Sequence, residues 1–159
     1  MEAEEYYTAY VNASPRYAGF LVRFIACLFD SVLFTVICWP IALILKDYLG
    51  PLVIIVIAAL AWAYNAGFES SSYMGTPGKI ACSLKVAGSN GERISLEKAS
   101  LRFSIKLLVP SLLAYFSVSY LGGFFLLGDS MFIIIDKRNQ SLHDMIADTV
   151  VYQTRNRII

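Results

Sequence analysis

Two groups of polar side chains could carry chemistry, and the first of them lies within apolar sequence. Arg23 and Asp30 interrupt the apolar stretch 20–45, and Asn65 and Glu69 lie near the end of a second apolar stretch. An ionised carboxylate inside a bilayer is costly unless a proton, a cation or a polar partner compensates its charge. Asp30, about midway along the first stretch, is therefore a candidate proton or cation site.

Helical spacing predicts which of these side chains meet. Arg23 and Asp30 are seven residues apart, so they share a helix face but are separated by about 10 Å along the axis. Asn65 and Glu69 are four residues apart and share a face of the second segment. In an antiparallel pair of helices, we expect Arg23–Glu69 and Asp30–Asn65 contacts. These contacts would form either an ion site or a polar clamp that sets the helix register.

The second group of polar side chains lies outside the apolar stretches. His143 is the single histidine of the chain, so one chain cannot form a multi-histidine metal site. No Ser or Cys lies in a recognisable nucleophile motif, which argues against an enzyme. We predict no cofactor and no metal. We expect these residues to form a structural hub on the cytoplasmic side, made of Lys79, Arg102, Gln140, His143 and Asp144. A proton relay through His143 is the alternative.

The run Gly-Thr-Pro-Gly-Lys at 75–79 is superficially similar to a phosphate-binding loop. Glycines let backbone N–H groups approach an anion, and a lysine adds positive charge. However, the nucleotide-binding pattern, four residues between the glycines and then Gly-Lys-Ser/Thr, is absent. The run therefore predicts a tight turn at the membrane interface, with the Lys79 side chain extending to lipid headgroups.

The composition is typical of a membrane protein. The 159 residues are 57% hydrophobic and 16% charged, which is too apolar for an ordinary soluble domain of this length. The stretches 20–45 and 52–69 are long enough to approach or exceed the ~20 residues that cross a bilayer. They predict an antiparallel transmembrane hairpin. The net charge of +1, without a basic strip, argues against nucleic acid as a partner.

A third apolar segment, about 107–135, is long for one crossing and short for two. Lys and Arg residues flank it on both sides, and basic flanks favour the cytoplasmic side of a membrane. The pattern favours a second, shorter hairpin with arms at 104–120 and 121–135 over a single crossing. Both termini, including the tails 1–15 and 153–159, would then be cytoplasmic.

The polar loop 70–103 is predicted to be cytoplasmic as well. Asn90-Gly91 is a strong turn signal because both residues can adopt positive φ angles. It separates an alternating run at 84–86 from Arg-Ile-Ser at 93–95, which predicts a small β-hairpin. The run 149–152 also has strand character and could pair with this hairpin.

A helix is expected to begin directly after this loop. Ser95 followed by Leu-Glu-Lys is typical of an N-cap with an acidic residue in the first turn. The elements together predict an all-α membrane protein. It would contain an antiparallel transmembrane hairpin, a third membrane segment that forms a second, shorter hairpin, and a small cytoplasmic β-hairpin.

Several short motifs follow one another in a fixed order. They are Ala-Gly-Phe-Leu-Val-Arg-Phe at 18–24 with Asp30, Gly-Thr-Pro-Gly-Lys at 75–79 with Leu-Lys-Val at 84–86 and Asn90-Gly91, then Arg102, and finally Gln-Ser-Leu-His-Asp-Met-Ile-Ala-Asp-Thr-Val-Val at 140–151. In this order the set resembles the RDD family of small bacterial membrane proteins. The resemblance implies a multi-helix membrane domain over 16–152, for which transport, including cation/proton antiport, has been proposed. One departure is Asp148, where a glycine is expected.

These observations lead to two hypotheses about function. The first is a small transport protein of the inner (cytoplasmic) membrane, exchanging a monovalent cation and protons through the polar intramembrane site. We expect a homo-oligomer in contact with membrane lipid, because so few helices can hardly enclose a pathway alone. The second is a non-transporting scaffold or assembly factor that binds proteins through its cytoplasmic loop and C-terminal segment.

Overall fold

The structure is a computed structural model. It describes residues 16–115 and 132–154, and side chains throughout these ranges except at 108–115. Its elements in chain order are helix α1 (Phe20–Leu49), a 3₁₀ turn (Gly50–Leu52), helix α2 (Val53–Ser70), helix α3 (Pro77–Ala81), strand β1 (Leu84–Gly88), helix α4 (Leu96–Tyr115), helix α5 (Leu142–Ile146) and strand β2 (Thr149–Gln153). The described chain is therefore mostly helical with a small two-stranded sheet.

Helices α1 and α2 match the two predicted apolar segments closely. Helix α1 ends where Gly50 adopts a φ of 52° and a ψ of −130°, a conformation that glycine tolerates and other residues avoid. Pro51 then opens the 3₁₀ turn that leads into α2. Local chemistry alone, an apolar run ended by Gly-Pro, accounts for these boundaries.

The first two helices pack against each other. The hydroxyl group of Tyr64 on α2 donates a 2.7 Å hydrogen bond to Asp30 on α1. The Tyr64 ring also lies 5.7 Å from the ring of Phe34, centroid to centroid. Ala26 and Ala66 are both fully buried in one cluster, where their small side chains permit close approach of the two backbones. The chain therefore turns back between the helices, at the 3₁₀ turn.

The outer surface of this pair is apolar. The continuous run Phe20–Ser70 has a mean hydropathy of 2.2 in its most apolar window, and 6% of that window is buried within the protein. Val32 and Ile54, for example, are 65% and 70% exposed. Among the described residues, this run is the one long and apolar enough to cross a membrane. A core helix of a soluble protein would bury these side chains, so the exposed surface is suited to lipid.

The predicted β-hairpin is wrong in its pairing. Strand β1 pairs antiparallel with β2, from Leu84 opposite Gln153 to Gly88 opposite Thr149. The segment 93–95 contributes a single bridge, between Arg93 and Ala87. The tight turn itself is present, since Gly91 has a φ of 82° and its N–H group donates to the Gly88 carbonyl oxygen at 2.9 Å.

Burial explains why β2 is the partner of β1. Val150 and Val151 of β2 are almost completely buried, as are Leu84 and Val86 of β1. Pairing with β2 therefore removes more apolar surface from water than pairing with the polar segment after the turn. The expectation that 149–152 could pair with the earlier strand is confirmed.

Helix α4 begins as the cap signal predicts. The hydroxyl oxygen of Ser95 accepts a 3.3 Å hydrogen bond from the N–H group of Lys98, and Glu97 lies in the first turn. The helix packs on α2, where the Trp62 indole N–H donates to the Ser100 hydroxyl at 3.0 Å. It continues to Tyr115. Most of the predicted second hairpin, including its turn, lies outside the described residues.

Candidate functional site

Charged residues from both polar groups identified in the sequence form one continuous network of ion pairs. Arg23 Nη1 lies 2.6 Å from Asp144 Oδ2, and Arg102 Nη1 lies 2.9 Å from Glu69 Oε2. The other guanidinium nitrogen of Arg102 binds Asp144, and the Lys79 ammonium binds Glu69. The order of contacts is thus Arg23, Asp144, Arg102, Glu69 and Lys79. Each of these residues belongs to a different helix.

The predicted Arg23–Glu69 pair is therefore wrong. Arg23 binds Asp144 and also donates to the backbone carbonyl oxygens of Ala18, at 3.1 Å, and Asn139, at 2.7 Å. The segment around Asn139 folds against the start of α1, a placement that helix spacing cannot reveal. Arg102 occupies the position beside Glu69 that the antiparallel pattern assigned to Arg23.

Asp30 is held by the turn that follows α2. Its carboxylate accepts hydrogen bonds from the Thr76 hydroxyl at 2.5 Å, the Gly78 backbone N–H at 2.8 Å and the Tyr64 hydroxyl at 2.7 Å. The first two donors lie at the start of α3, so Asp30 caps that short helix from a different element. Three donors thus supply hydrogen-bond partners to this partly buried carboxylate.

The predicted Asp30–Asn65 contact is also wrong. The Asn65 side-chain amide donates instead to the Ala61 carbonyl oxygen, one turn earlier on the same helix, at 2.9 Å. Tyr64, its neighbour in sequence, reaches Asp30 in its place. A tyrosine hydroxyl extends farther from the backbone than an asparagine amide, so the longer side chain bridges the two helices.

The Gly-Thr-Pro-Gly-Lys run packs closely on α1. A Cβ atom added to Gly78 would overlap the Ala26 carbonyl oxygen and the Asp30 carboxyl group. The φ angle of Gly78 is ordinary, so backbone conformation does not require a glycine here. The close approach of the two backbones does, because it leaves no space for a Cβ atom. The predicted role of Lys79 in contacting headgroups is not what the structure records, because its ammonium group binds Glu69.

Asp144 lies at the centre of the network and is completely buried. Burial by itself favours the protonated acid, but Arg102, His143 and Arg23 hold the pKa of the Asp144 carboxyl group well below its ordinary value. The same carboxylate accepts a hydrogen bond from the Ser141 backbone N–H, and the Ser141 side chain accepts one from the backbone N–H of Asp144. These two hydrogen bonds form a capping box at the start of α5. Asp144 thus joins α5 to α1 and α4.

His143 and Gln140 bind around this centre. The His143 ring lies 3.1 Å from the Ser141 hydroxyl through Nδ1 and 3.4 Å from Asp144 through Nε2. The Gln140 amide donates to the Thr149 carbonyl oxygen at 2.8 Å and so links the segment before α5 to β2. The structure therefore brings all five predicted hub residues into one assembly, which also contains Arg23 and Glu69.

Lys79 has an unusual environment for a lysine. Burial lowers the pKa of its ammonium group, and nearby Arg102 and Lys106 lower it further, while Glu69 acts in the opposite direction. The net result is a pKa below the ordinary lysine value. This ammonium group can therefore lose its proton at a lower pH than a solvent-exposed lysine.

Two cavities meet beside this lysine. One has a volume of about 150 Å³ and is lined in part by Asp30, Tyr64 and Asn65. The other is small and is lined in part by Glu69 and His143. Lys79 and Lys106 line both cavities. The polar residues of α1 and α2 are thereby connected to the ion-pair network.

Sequence reasoning missed Tyr64, Thr76 and Lys106. Lys106 carried a usable signal, because it lies four residues after Arg102 and therefore on the same face of α4. Tyr64 and Thr76 carried none, since their roles depend on how the turn folds onto α1. Within the described residues, no group of three or more His, Cys, Asp or Glu side chains could hold a metal ion.

Comparison with known proteins gives a family and nothing more specific. No curated protein and no solved structure matches the chain. The model of the RDD family matches residues 17–148, a range that includes Arg23, Asp30 and the whole ion-pair network. Since this match covers most of the sequence, the chain belongs to the RDD family of membrane proteins.

Proposed function

We propose that this chain is a small membrane transport protein that exchanges protons for a monovalent cation at the Lys79–Glu69 pair. The observation that carries the proposal is the direct contact of an ammonium group with a carboxylate beside two cavities that polar side chains line in part. Such a pair can release a proton from the amine while the carboxylate accepts another cation. No covalent chemistry and no cofactor are needed.

The exchange conserves charge at the site. When the Lys79 ammonium loses its proton, Glu69 keeps Arg102 as a partner but loses one of its two cations, and a monovalent cation can take the place of the lost positive charge. One proton leaves as one cation binds, so the surrounding Arg102 and Lys106 experience the same net charge before and after. The lowered pKa of Lys79 supports this step, because it brings deprotonation closer to physiological pH.

The cavity beside Asp30 offers a route from this pair towards the membrane interior. Asp30 lies ten residues after the start of α1, or about 15 Å along the helix axis. In this proposal α1 and α2 cross the inner membrane as a hairpin, and the polar elements with both termini are cytoplasmic. Asp30 anchors α3 and is not itself the exchange site, because three donors already bind its carboxylate. Oligomerisation would complete the walls of the pathway.

The test is flux through proteoliposomes that contain only the purified protein, with Lys79→Arg as the decisive variant. Arginine keeps the positive charge and can bind Glu69, but it does not deprotonate in proteins. We expect loss of proton-coupled cation flux, with thermal stability close to that of the wild type. The matched control is Lys98→Arg, since Lys98 is a half-exposed lysine in a 3.5 Å pair with exposed Asp148. Wild-type flux in Lys79→Arg would exclude Lys79 as the exchanging group.

A scaffold function is the second candidate, and one observation favours it. The pairing of β1 with β2 joins the loop after α2 to the C-terminal segment, so both proposed binding regions belong to one folded unit. Such a unit could present a single surface to another protein. Absence of any ion flux in wild-type proteoliposomes, for a protein that remains folded, would favour this function over transport.

A further inference from the structure

A third cavity is larger than the two beside the Lys79–Glu69 pair, and it has both a cationic side and an apolar side. It has a volume of about 280 Å³ and opens near the start of α1. Phe20, Phe24 and Ile133 contribute apolar surface. Lys79 and Lys106 contribute positive charge, together with the guanidinium groups of the ion-pair network.

Positive charge exceeds negative charge around this cavity. Four cationic side chains line it, Arg23, Lys79, Arg102 and Lys106. Only two carboxylates, Glu69 and Asp144, form the ion pairs described above with these cations. Lys106 is exposed, and its recorded contact in the described part of the chain is with the Cys27 sulfur at 4.0 Å. An anion in the cavity would therefore meet a favourable potential, with the Lys106 ammonium available to bind it.

The apolar side lies where the membrane boundary is expected. Phe20 is the first residue of the apolar run, and its ring lies 5.9 Å from that of Phe24, one turn later. The two side chains are 36% and 48% exposed. The first turn of a membrane helix lies near headgroup depth, where apolar rings can contact the first part of the acyl chains. A ligand here would have its charged part against the lysines and its apolar part along the phenylalanines.

We infer that this cavity binds the phosphate headgroup of an anionic glycerophospholipid, with Lys106 contacting the phosphate and Phe20 and Phe24 contacting the first part of the acyl chains. Charge complementarity selects an anionic headgroup, because a zwitterionic lipid carries a compensating ammonium group. The apolar wall favours a lipid over a free phosphate ion, which would gain nothing from the phenylalanines. The inference does not depend on transport, since it concerns binding at the cytoplasmic membrane surface.

Titration of the full-length protein in a neutral detergent tests this site, with phosphatidylglycerol, phosphatidylcholine and inorganic phosphate as probes. We expect phosphatidylglycerol to raise the melting temperature saturably, and the other two probes to have little effect at the same concentrations. Lys106→Gln should weaken the apparent affinity for phosphatidylglycerol about fivefold, as expected for one lysine at an anionic lipid surface. Lys106→Arg should restore most of it. The control Lys98→Gln removes an exposed lysine outside the cavity and should leave the affinity unchanged.

Three results would overturn the inference. Equal stabilisation by phosphatidylcholine would show that the headgroup charge is not recognised. Equal stabilisation by inorganic phosphate would identify a free anion as the ligand. Equal weakening by Lys98→Gln and Lys106→Gln would show a diffuse surface effect without a site. Because no flux is measured, each result leaves the proposed exchange at Lys79 to its own test.

Discussion

The α1–α2 pair and the polar elements beside it are built in opposite ways. In α1–α2, large apolar side chains such as Val32 and Trp39 are exposed, and the small residues Ala26 and Ala66 are buried where the helices approach each other. In the polar elements, Asp144, Thr76 and Ser141 are completely buried. The first region depends on lipid to cover its surface, whereas the second depends on ion pairs and hydrogen bonds that compensate its buried polar groups. Single substitutions should therefore cost far more in the second region.

The largest expected effect comes from Asp144→Asn. The amide cannot neutralise two guanidinium groups, so Arg23 would lose its carboxylate partner and, of the ion pairs described above, Arg102 would keep only the one with Glu69. Breaking a buried ion pair in this way typically costs about 3 to 5 kcal/mol. We expect a strongly lowered melting temperature in detergent. Asp47→Asn, at an exposed position near the end of α1, is the control and should melt like the wild type. Similar melting of both variants would contradict the central role of the network.

The pH dependence of stability provides a second test of the contribution of Asp144. Folding lowers the pKa of Asp144, so as the pH falls the unfolded chain takes up this proton at a higher pH than the folded protein does. The stabilisation by Asp144 is therefore fully present above the ordinary pKa of 3.8. It is lost as the pH falls below that value towards the lowered pKa. Melting curves of the wild type should therefore decline steeply below about pH 4, and Asp144→Asn should show a flatter profile there.

Two glycines provide the next comparison. Gly78→Ala places a methyl group against the Ala26 carbonyl oxygen, and overpacking of this kind costs about 1 to 3 kcal/mol. Gly67→Ala adds the same methyl group on α2, where nothing lies within 4 Å. It should be neutral or stabilising, because alanine favours helix by up to about 1 kcal/mol over glycine. Thermal unfolding of both variants measures the difference, and equal effects would show that α3 does not pack tightly on α1.

Asp30→Asn should have a smaller effect. Asparagine keeps the size and one acceptor oxygen but weakens the hydrogen bonds from Thr76 and Gly78, with an expected loss of about 1 kcal/mol. If Asp30 is an anchor, the melting temperature falls modestly and any cation flux keeps its pH dependence. Complete loss of flux in a folded Asp30→Asn protein would restore Asp30 as the exchange site.

The smallest expected effect is a gain in stability. Asp148 has a φ of 50°, in the left-handed region that favours glycine, which explains why a glycine is expected at this position. Its exposed 3.5 Å pair with Lys98 contributes little. Asp148→Gly should raise the unfolding free energy by about 0.5 to 1 kcal/mol. A lower melting temperature would show that the Lys98 and Ser89 contacts outweigh the backbone strain.

Local signals were sufficient for α1, α2 and the start of α4, and insufficient for the short helices α3 and α5 and for the sheet. The cap at Ser95 and the break at Gly50 involve neighbours in sequence, so their positions could be predicted. The turn at Gly91 is equally local, and it was predicted correctly. The strand that pairs with β1 lies more than 60 residues later and is selected by buried apolar area, a property of the whole fold.

The amino-acid sequence by itself determined that this is a membrane protein of the RDD family, where its first two helices lie, and which polar residues are unusual. Apolar composition, helix-ending residues and motif order are all local properties. The tertiary structure alone decided which charges meet, because Arg23, Arg102 and Asp144 come from three distant segments. Buried ions take whatever partners the packed backbone brings within reach, and sequence separation does not encode that distance.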